Sequence, residues 1–313
     1  MNAAWPELPY AAWKDTAVTL QLWAQIVGKV RLALTPWLNH SWHVTLRVSA
    51  RGLVTPLIST NETDLQIEFD FIDHLLWLKR ANGGVRQITL KPMTVAAFYA
   101  AVLAALGDLG IAMRIDDLPN ELPDPVLPFS NDTTHTAYDP EHANRFWHVL
   151  LRSHEVFSHF RTSFLGKASP VHFFWGSFDL AVTRFSGRRA PLHPGGIPHL
   201  SDAVVREAYS HEVSSAGFWP GGGGIDYPAY YSYAYPTPAG FADTRVQPDA
   251  AFFSKELGEF VLPYEAVRMS ADPRATLMDF LETTYAAAAD LAHWDRAALE
   301  CELGQPRRPR PVG

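Results

Sequence analysis

The sequence predicts an α+β fold in which antiparallel sheets, flanked by helices, surround an aromatic-rich core. Apolar residues recur at spacings of three and four in some stretches, as on one face of a helix, and at every second position in others, as in half-buried strands. Glycine-containing turns join neighbouring strand-like stretches, which favours antiparallel pairing. The 18 Phe, 11 Tyr and 10 Trp residues bury large areas, so most of them belong to the core.

The composition is that of a folded protein with one large domain or two domains of ordinary size. Hydrophobic residues make up 47% and charged residues 19% of the 313 positions, which argues against disorder. The formal net charge of −7 does not steer the whole molecule towards phosphate backbones, so we expect no nucleic-acid partner. The single cysteine, Cys301, excludes an internal disulfide, argues against a cysteine nucleophile or a Cys-based zinc site, and is typical of a reducing compartment.

The sequence predicts neither export nor insertion into a membrane. The opening stretch MNAAWPELPYAAWKD lacks the basic start and the apolar run of a secretory signal. The longest apolar run, residues 93–106, is shorter than the ~20 residues that a membrane-spanning helix needs. We therefore expect a soluble, cytoplasmic protein without a membrane partner.

The N-terminal part, residues 1–117, is predicted to be an α+β module. Residues 11–34 carry one apolar stripe at helical spacing, and Pro36 ends this helix. Thr94 is the predicted N-cap of a second helix over 95–106. Between the two helices, alternation of apolar and polar residues predicts strands at 43–48, 65–71, 75–79 and 85–90.

A proline-rich stretch, residues 118–138, follows this module. Its prolines break regular structure, so it is predicted to be either a linker between two domains or a strap packed on one continuous domain. The C-terminal α+β module, residues 139–302, begins with an N-cap aspartate followed by proline at the first helical position. Residues 303–313 are basic and proline-rich, and we expect a disordered tail there.

The stretch 169–224 holds more chemically active side chains than core packing needs, and it is the candidate site. A two-residue type II′ turn at Gly176-Ser177 would join two strands so that His172 pairs with Ala181 and Phe174 with Asp179. His172 and Asp179 then project from one face. Such a pair can act as a general base or supply two ligands to a divalent metal, the candidate cofactor; a buried His–Asp hydrogen bond that stabilises the hairpin is the alternative.

The segment 209–219 supplies two more catalytic candidates, His211 and Glu212. Strict alternation places His211 and Trp219 on one face of a strand and Glu212 on the other. We therefore favour His211 over Glu212 as a partner of the first pair. Ser215 stands where an HExxH motif needs its second zinc-binding histidine, so that motif is absent.

Arginines and glycines of the same stretch are candidates for ligand binding. Arg184 and Arg188 can pair with a carboxylate or a phosphate, although a solvated basic loop has the same composition. Gly222 and Gly223, within PGGGG, let the backbone approach a ligand closely and present N–H groups to an anion, while a flexible turn is the alternative.

Several long strings of the sequence carry a resemblance to a known family. They are WPELPY, LWAQIVGK, PWLNHSWHV, DFIDH, SPVHFFWGSFDLAVTRFSGRR and SHEVSSAGFWPGGGG. With these strings the chain resembles, from about residue 5 to about residue 299, the bacterial proteins grouped as "domain of unknown function 5996". The resemblance implies a single intact unit rather than a fusion of two known modules. It carries no activity and no assigned catalytic residues.

The residues together predict an enzyme that acts on a small polar or anionic molecule by His/Asp acid–base or metal-assisted chemistry. Trp175 and Trp219 would form apolar walls that exclude water. The alternative is a non-catalytic module that binds a sugar, a base or a peptide on an aromatic face with Tyr231, Tyr233 and Tyr235. In a third reading, the polar side chains are satisfied inside the core and serve structure alone.

Overall fold

Two antiparallel sheets and seven α-helices are present in residues 4–60 and 64–310, which the computed structural model of the protein describes. This confirms the predicted α+β class. The helices are α1 (Tyr10–Leu34), α2 (Val95–Asp108), α3 (Pro140–Arg161), α4 (Asp202–Ala208), α5 (Tyr264–Arg268), α6 (Pro273–Leu291) and α7 (Arg296–Leu299).

The two sheets differ in strand order. The first is a meander of neighbouring strands, β1 (Arg47–Val48), β2 (Gly52–Val54), β3 (Leu65–Asp70), β4 (Leu75–Arg80) and β5 (Val85–Thr89). The second contains β6 (His172–Phe174), β7 (Asp179–Arg189), β8 (His211–Trp219), β9 (Ala229–Tyr235), β10 (Phe252–Ser254) and β11 (Glu259–Pro263). Its spatial order is β10-β11-β9-β8-β7-β6, with every neighbouring pair antiparallel.

Local sequence signals account for the starts of three long helices. The Thr94 side chain accepts a hydrogen bond from the Ala97 amide at the start of α2. Asp139 and Asp272 cap α3 and α6 in the same way, and proline follows each of them. A side-chain oxygen at the N-cap satisfies an amide that the helix leaves unpaired, and proline at the next position sacrifices no hydrogen bond.

One local expectation was wrong, and one helix was not foreseen. Of the strand predicted over 43–48, only Arg47–Val48 is a strand, because residues 42–44 form turns. The helix α4 was not predicted; its seven residues lie in a stretch rich in proline and glycine, and the Ser201 side chain caps it.

One hydrophobic core contains residues from both sheets and from the long helices. Trp23 of α1 stacks on Phe98 of α2, with ring centroids 4.5 Å apart. In the second sheet, one face packs on α3: the Ser153 hydroxyl lies 3.0 Å from the hydroxyl of Tyr230 on β9. The opposite face of that sheet carries the polar side chains described below.

The proline-rich stretch crosses α1. The amide of Asn120 donates to the side-chain oxygen of Gln25 at 2.7 Å, and Gln25 donates in return to the Asn120 carbonyl at 2.9 Å. Whether residues 118–138 separate two domains or form a strap on one domain stays a prediction. The predicted tail is described as far as Arg310, which donates to carbonyl oxygens of Thr162 and Glu302; residues 311–313 lie outside the described part.

Candidate active site

A cavity of about 550 Å³ lies on the face of the second sheet that points away from α3. Alternate residues of β7, β8, β9 and β11 form its floor, because successive side chains of a strand point to opposite faces. The walls come from α1, from residues 37–44, from residues 116–121 and from the segment 197–209 that contains α4. Cavities of this size accommodate small organic molecules.

Asp179 is the central polar group of the floor. Its side chain is only 4% exposed, and two hydroxyl groups donate to it: Ser177 at 2.5 Å to Oδ1, and Tyr231 to Oδ2. Burial raises the pKa of Asp179 to about 6, although both hydrogen bonds oppose this rise. The carboxyl group is therefore oriented, and it changes charge slightly below neutral pH.

Gly217 allows Tyr231 to reach Asp179. The two residues are opposite each other on β8 and β9, and a Cβ atom at position 217 would lie 2.3 Å from the tyrosine oxygen. Any side chain there would occupy the place of the hydroxyl. The absence of a Cβ at residue 217 thus sets the position of a hydrogen-bond donor two strands away from its acceptor.

Gly217→Ala is expected to raise the pKa of Asp179 above about 6, because the added methyl group displaces the Tyr231 hydroxyl and removes a bond that stabilises the carboxylate. NMR titration of labelled aspartate side chains measures this pKa. Gly107→Ala is the matched control, since a Cβ there meets no atom within 4 Å. An unchanged pKa in Gly217→Ala would show that Tyr231 does not tune Asp179.

Two further carboxyl groups line the same cavity, Glu121 from the proline-rich stretch and Glu259 from the start of β11. Burial, and secondarily the charge of Asp179, raises the pKa of Glu121 to about 7 and that of Glu259 to about 8. Within residues 4–60 and 64–310, neither carboxyl group takes part in a hydrogen bond or an ion pair with another side chain. We call the cavity lined by Glu121, Asp179 and Glu259 the acidic pocket.

Aromatic rings and hydroxyl groups cover much of the remaining floor. The ring centroids of Trp219 and Tyr231 are 4.5 Å apart, and those of Tyr231 and Tyr233 are 6.1 Å apart with nearly parallel planes. The Tyr233 hydroxyl lies 2.8 Å from that of Tyr209. The pocket therefore combines an apolar, polarisable surface with a small number of directed polar groups, as ligand sites commonly do.

Positive charge at the pocket is largely neutralised. Lys29 on α1 is buried, and its ammonium group pairs with Asp116 at 2.6 Å. His40 also lines the wall; burial lowers its pKa, its Nδ1 lies 2.7 Å from the Ala208 carbonyl oxygen, and Lys167 contacts its Nε2. Carboxyl groups, rather than cations, thus dominate the electrostatics of the pocket.

The hairpin of β6 and β7 has the predicted register, with His172 opposite Ala181 and Phe174 opposite Asp179. The predicted two-residue turn is wrong. Four residues, 175–178, connect the strands, and the left-handed residue is Phe178, with φ of 58°, rather than Gly176. A side chain at Gly176 would strike the carboxyl group of Glu121, because a Cβ there would lie 1.9 Å from its Oε1.

His172 shares the strand face with Asp179 but makes no hydrogen bond to it. Its ring is fully buried against Trp42 and Phe174, and both ring nitrogens are without a partner in the described part of the chain. Burial, aided by the charges of Arg47 and Arg161, lowers the pKa of His172 well below its usual value. The structure therefore places His172 behind the pocket wall. The hydrogen-bond donors to Asp179 are hydroxyl groups rather than this imidazole.

His211 and Glu212 lie at the far end of β8, outside the pocket lining. Glu212 accepts hydrogen bonds from the Ser186 hydroxyl at 2.9 Å and from the Arg188 guanidinium at 2.7 Å. Arg188 also donates to the carbonyl oxygen of Ala292 at 2.6 Å. This network joins β7 and β8 to the end of α6, and it pairs Arg188 with Glu212 outside the cavity.

Arg184 lies on the opposite face of β7 from Asp179. It is 1% exposed, its guanidinium carbon is 3.4 Å from the Phe160 ring centroid, and its Nη2 donates to Ser163 Oγ at 2.8 Å. The sheet thus buries this arginine against α3. Gly222 and Gly223 form a tight turn between β8 and β9, with Gly222 and Ile225 bonded backbone to backbone, and they too lie outside the pocket lining.

Of the ten residues singled out for the enzyme, the structure brings three together at the pocket: Asp179, Trp175 and Trp219. Of the three tyrosines of the alternative aromatic face, Tyr231 and Tyr233 also line it. Trp175 donates its indole N–H to the Val44 carbonyl at 2.8 Å, which holds it in the wall. Sequence reasoning missed Glu121 and Glu259. The sequence signal that could have indicated Glu259 is an acidic residue in the short, otherwise apolar strand EFVLP. Glu121 lies in an irregular stretch, where no such sequence signal exists.

In residues 4–60 and 64–310, no group of three or more His, Cys, Asp or Glu side chains is placed to hold a metal ion. The helices of these residues also include none with the length and apolar character needed to cross a membrane.

Comparison with known families matches residues 5–301 to the "Family of unknown function (DUF5996)". The match covers nearly the whole chain, so the chain belongs to this family, as its sequence strings indicated. No curated protein and no solved structure matches the chain.

Proposed function

We propose that this family member is an enzyme that acts on a small polar molecule by general acid–base catalysis in the acidic pocket. One observation carries the proposal: three carboxyl groups with raised and different pKa values line one cavity of molecular size. Environments that push the pKa values of neighbouring carboxyl groups apart are typical of acid–base sites, because one group can then donate a proton while another accepts one.

Asp179 is the proposed general base. With a pKa of about 6, most of its population is ionised at neutral pH, and its basicity is higher than that of an ordinary aspartate. The hydrogen bonds from Ser177 and Tyr231 orient the carboxylate in the floor. A base held in place and with a pKa near the working pH transfers protons most effectively.

Glu259 is the proposed general acid. Its pKa of about 8 keeps it protonated at neutral pH, and it has a proton to donate. Glu121, with a pKa of about 7, is the second candidate for this role. The surrounding apolar wall, including Trp175 and Trp219, supports the proposal because exclusion of water strengthens the polar contacts inside.

This proposal keeps the acid–base chemistry expected from the sequence and assigns it to other residues. Carboxyl groups replace the histidines, and the mechanism needs no metal. The cytoplasm is the proposed compartment, because a chain with Cys301 as its single cysteine forms no internal disulfide.

A binding module without catalysis is the second candidate. The row of Trp219, Tyr231 and Tyr233 favours it, since such rings stack on planar or apolar ligand faces. Binding without conversion of any ligand would distinguish this function from the enzymatic one.

The pH dependence of turnover tests the enzymatic proposal. The protein is incubated with neutral sugars, amines, amides, esters and lactones, and conversion is detected as a change in mass. For a converted substrate, kcat/KM is expected to follow a bell-shaped curve with limbs near pH 6 and pH 8, because Asp179 must be ionised and Glu259 protonated. Glu259→Gln should lower the rate and remove the alkaline limb; a wild-type profile that is flat from pH 5 to 9 would contradict the assignment.

A further inference from the structure

The acidic pocket contains buried carboxyl groups for which the described part of the chain provides no counter-ion. Glu259 is 8% exposed and lines the cavity, and its carboxyl group has no hydrogen-bond or ion-pair partner in residues 4–60 and 64–310. Glu121 is half-buried, lines the same cavity, and its carboxyl group is equally without one. A buried carboxyl group without a partner is costly whether ionised or neutral, so Glu259 indicates that a ligand completes the site, and Glu121 is available to the same ligand.

The charge of Asp179 indicates which sign of charge that ligand carries. It opposes ionisation of both Glu121 and Glu259, as expected for like charges that share a site. A neutral ligand could accept or donate hydrogen bonds but would leave this repulsion in place. A cation beside Asp179 would relieve it, because the cation attracts the carboxylate that opposes ionisation of the other two groups.

The lysine that lines the pocket, Lys29, already has a carboxylate partner. Lys29 pairs with Asp116 at 2.6 Å. Arg184 and Arg188, the arginines expected to bind an anion, lie outside the cavity lining. An anionic ligand would therefore meet carboxyl groups without a compensating cation, and like charges in one buried site repel each other.

The aromatic lining points to an organic cation rather than a metal ion. Rings of Trp42, Trp219, Tyr231 and Tyr233 line the cavity, and aromatic faces attract ammonium groups that have lost their water. The described residues also lack a cluster of ligands for a metal ion. A cavity of about 550 Å³ has room for a small molecule whose apolar part contacts these rings.

We propose that the ligand of the acidic pocket is a small organic cation, an amine or quaternary ammonium compound, held by the Asp179 carboxylate, with Glu121 and Glu259 beside it, and by the aromatic lining. This inference rests on the proposed function only in using the same pocket, and it names the substrate class. It replaces the anionic alternative that the sequence left open.

Matched pairs of permanent cations and neutral isosteres test the inference without any need for turnover. The probes are tetramethylammonium, choline and benzyltrimethylammonium, each compared with the analogue in which a quaternary carbon replaces nitrogen. Isothermal titration calorimetry is expected to show at least one cation that binds at least tenfold more tightly than its isostere. Affinity should also rise at least tenfold between pH 5.5 and pH 8.5, as the carboxyl groups ionise.

Other titratable groups at the pocket do not produce the same pH dependence. Lys29 and Asp116 neutralise each other. Burial lowers the pKa of His40, so its neutral form is favoured, and it raises the pKa of Tyr209, Tyr231 and Tyr233 above the usual value for tyrosine. The permanent charge of the probes excludes titration of the ligand.

The variant Glu259→Gln distinguishes cation binding in the pocket from cation binding at other acidic surfaces. It is expected to weaken cation binding at pH 8.5 at least tenfold, whereas Glu256→Gln, an exposed neighbour in the turn before β11, should leave it unchanged. Equal affinity for cations and isosteres, or no binding of any cation, would overturn the inference. Cation binding without turnover of any compound would support it while contradicting the enzymatic proposal, and turnover of neutral compounds alone would do the reverse.

Discussion

Replacement of Asp179 by asparagine is expected to lower kcat by about 10²–10⁴-fold, the range that positioned acid–base groups contribute. Asparagine has nearly the same size and can still accept a hydrogen bond from Ser177 or Tyr231, which both contact Asp179. It cannot accept a proton at neutral pH. The loss should therefore appear in kcat, measured on a substrate found in the turnover screen, with a smaller change in KM.

The matched control for this variant is Asp249→Asn, the same chemical change at a side chain that is 84% exposed. It should retain wild-type kcat. Asp179→Asn should also lower the pKa of Glu259 from about 8, because the charge of Asp179 contributes to that value. A kcat within twofold of wild type in Asp179→Asn would exclude Asp179 as the base.

The second large effect is on stability: Glu259→Gln is expected to make the protein more stable than wild type above pH 8, on the order of 3–5 kcal/mol. In the folded protein the pKa of Glu259 is about 8, against a value of 4.5 for a free glutamate. Between these pH values the folded state binds a proton that the unfolded state has lost, so wild-type stability falls as pH rises. Glutamine does not ionise, and the variant escapes this loss.

Urea unfolding at pH 4.5, 7 and 9 measures this difference. The gap between variant and wild type should be small at pH 4.5, where the glutamate is largely protonated in both states, and should then grow by about 1.4 kcal/mol per pH unit up to pH 8. Glu256→Gln, which changes an exposed side chain, serves as the control and should follow wild type throughout. A constant gap from pH 4.5 to pH 9 would show that Glu259 ionises normally in the folded protein.

Much of the fold follows from patterns of short range. The capping residues Thr94 and Asp139 and the helices after them are found where the sequence placed them. The register of β6 with β7 is also as expected, because strand alternation leaves few ways to pair two neighbouring apolar segments.

The candidate site was predicted in part. Asp179, Trp175 and Trp219 share the pocket, whereas Arg184 does not. Alternation along β7 is enough to explain this, since positions 179 and 184 differ by an odd number and point to opposite faces. His172 projects from the same face as Asp179 but lies on the edge strand β6, behind Trp42 and Phe174. Strand alternation predicts the face of a side chain, but it does not predict which residues cover it.

The sequence by itself determined the α+β class, the starts of α1, α2 and α3, the strand faces and the membership of the family, because each depends on residues close together in the chain or on the whole string of residues. Only the tertiary structure decided which groups meet in the acidic pocket. Glu121, Asp179 and Glu259 come from an irregular stretch, a central strand and another strand far along the chain. Their proximity, and the desolvation that raises their pKa values, arise when the core folds, and no local pattern encodes either.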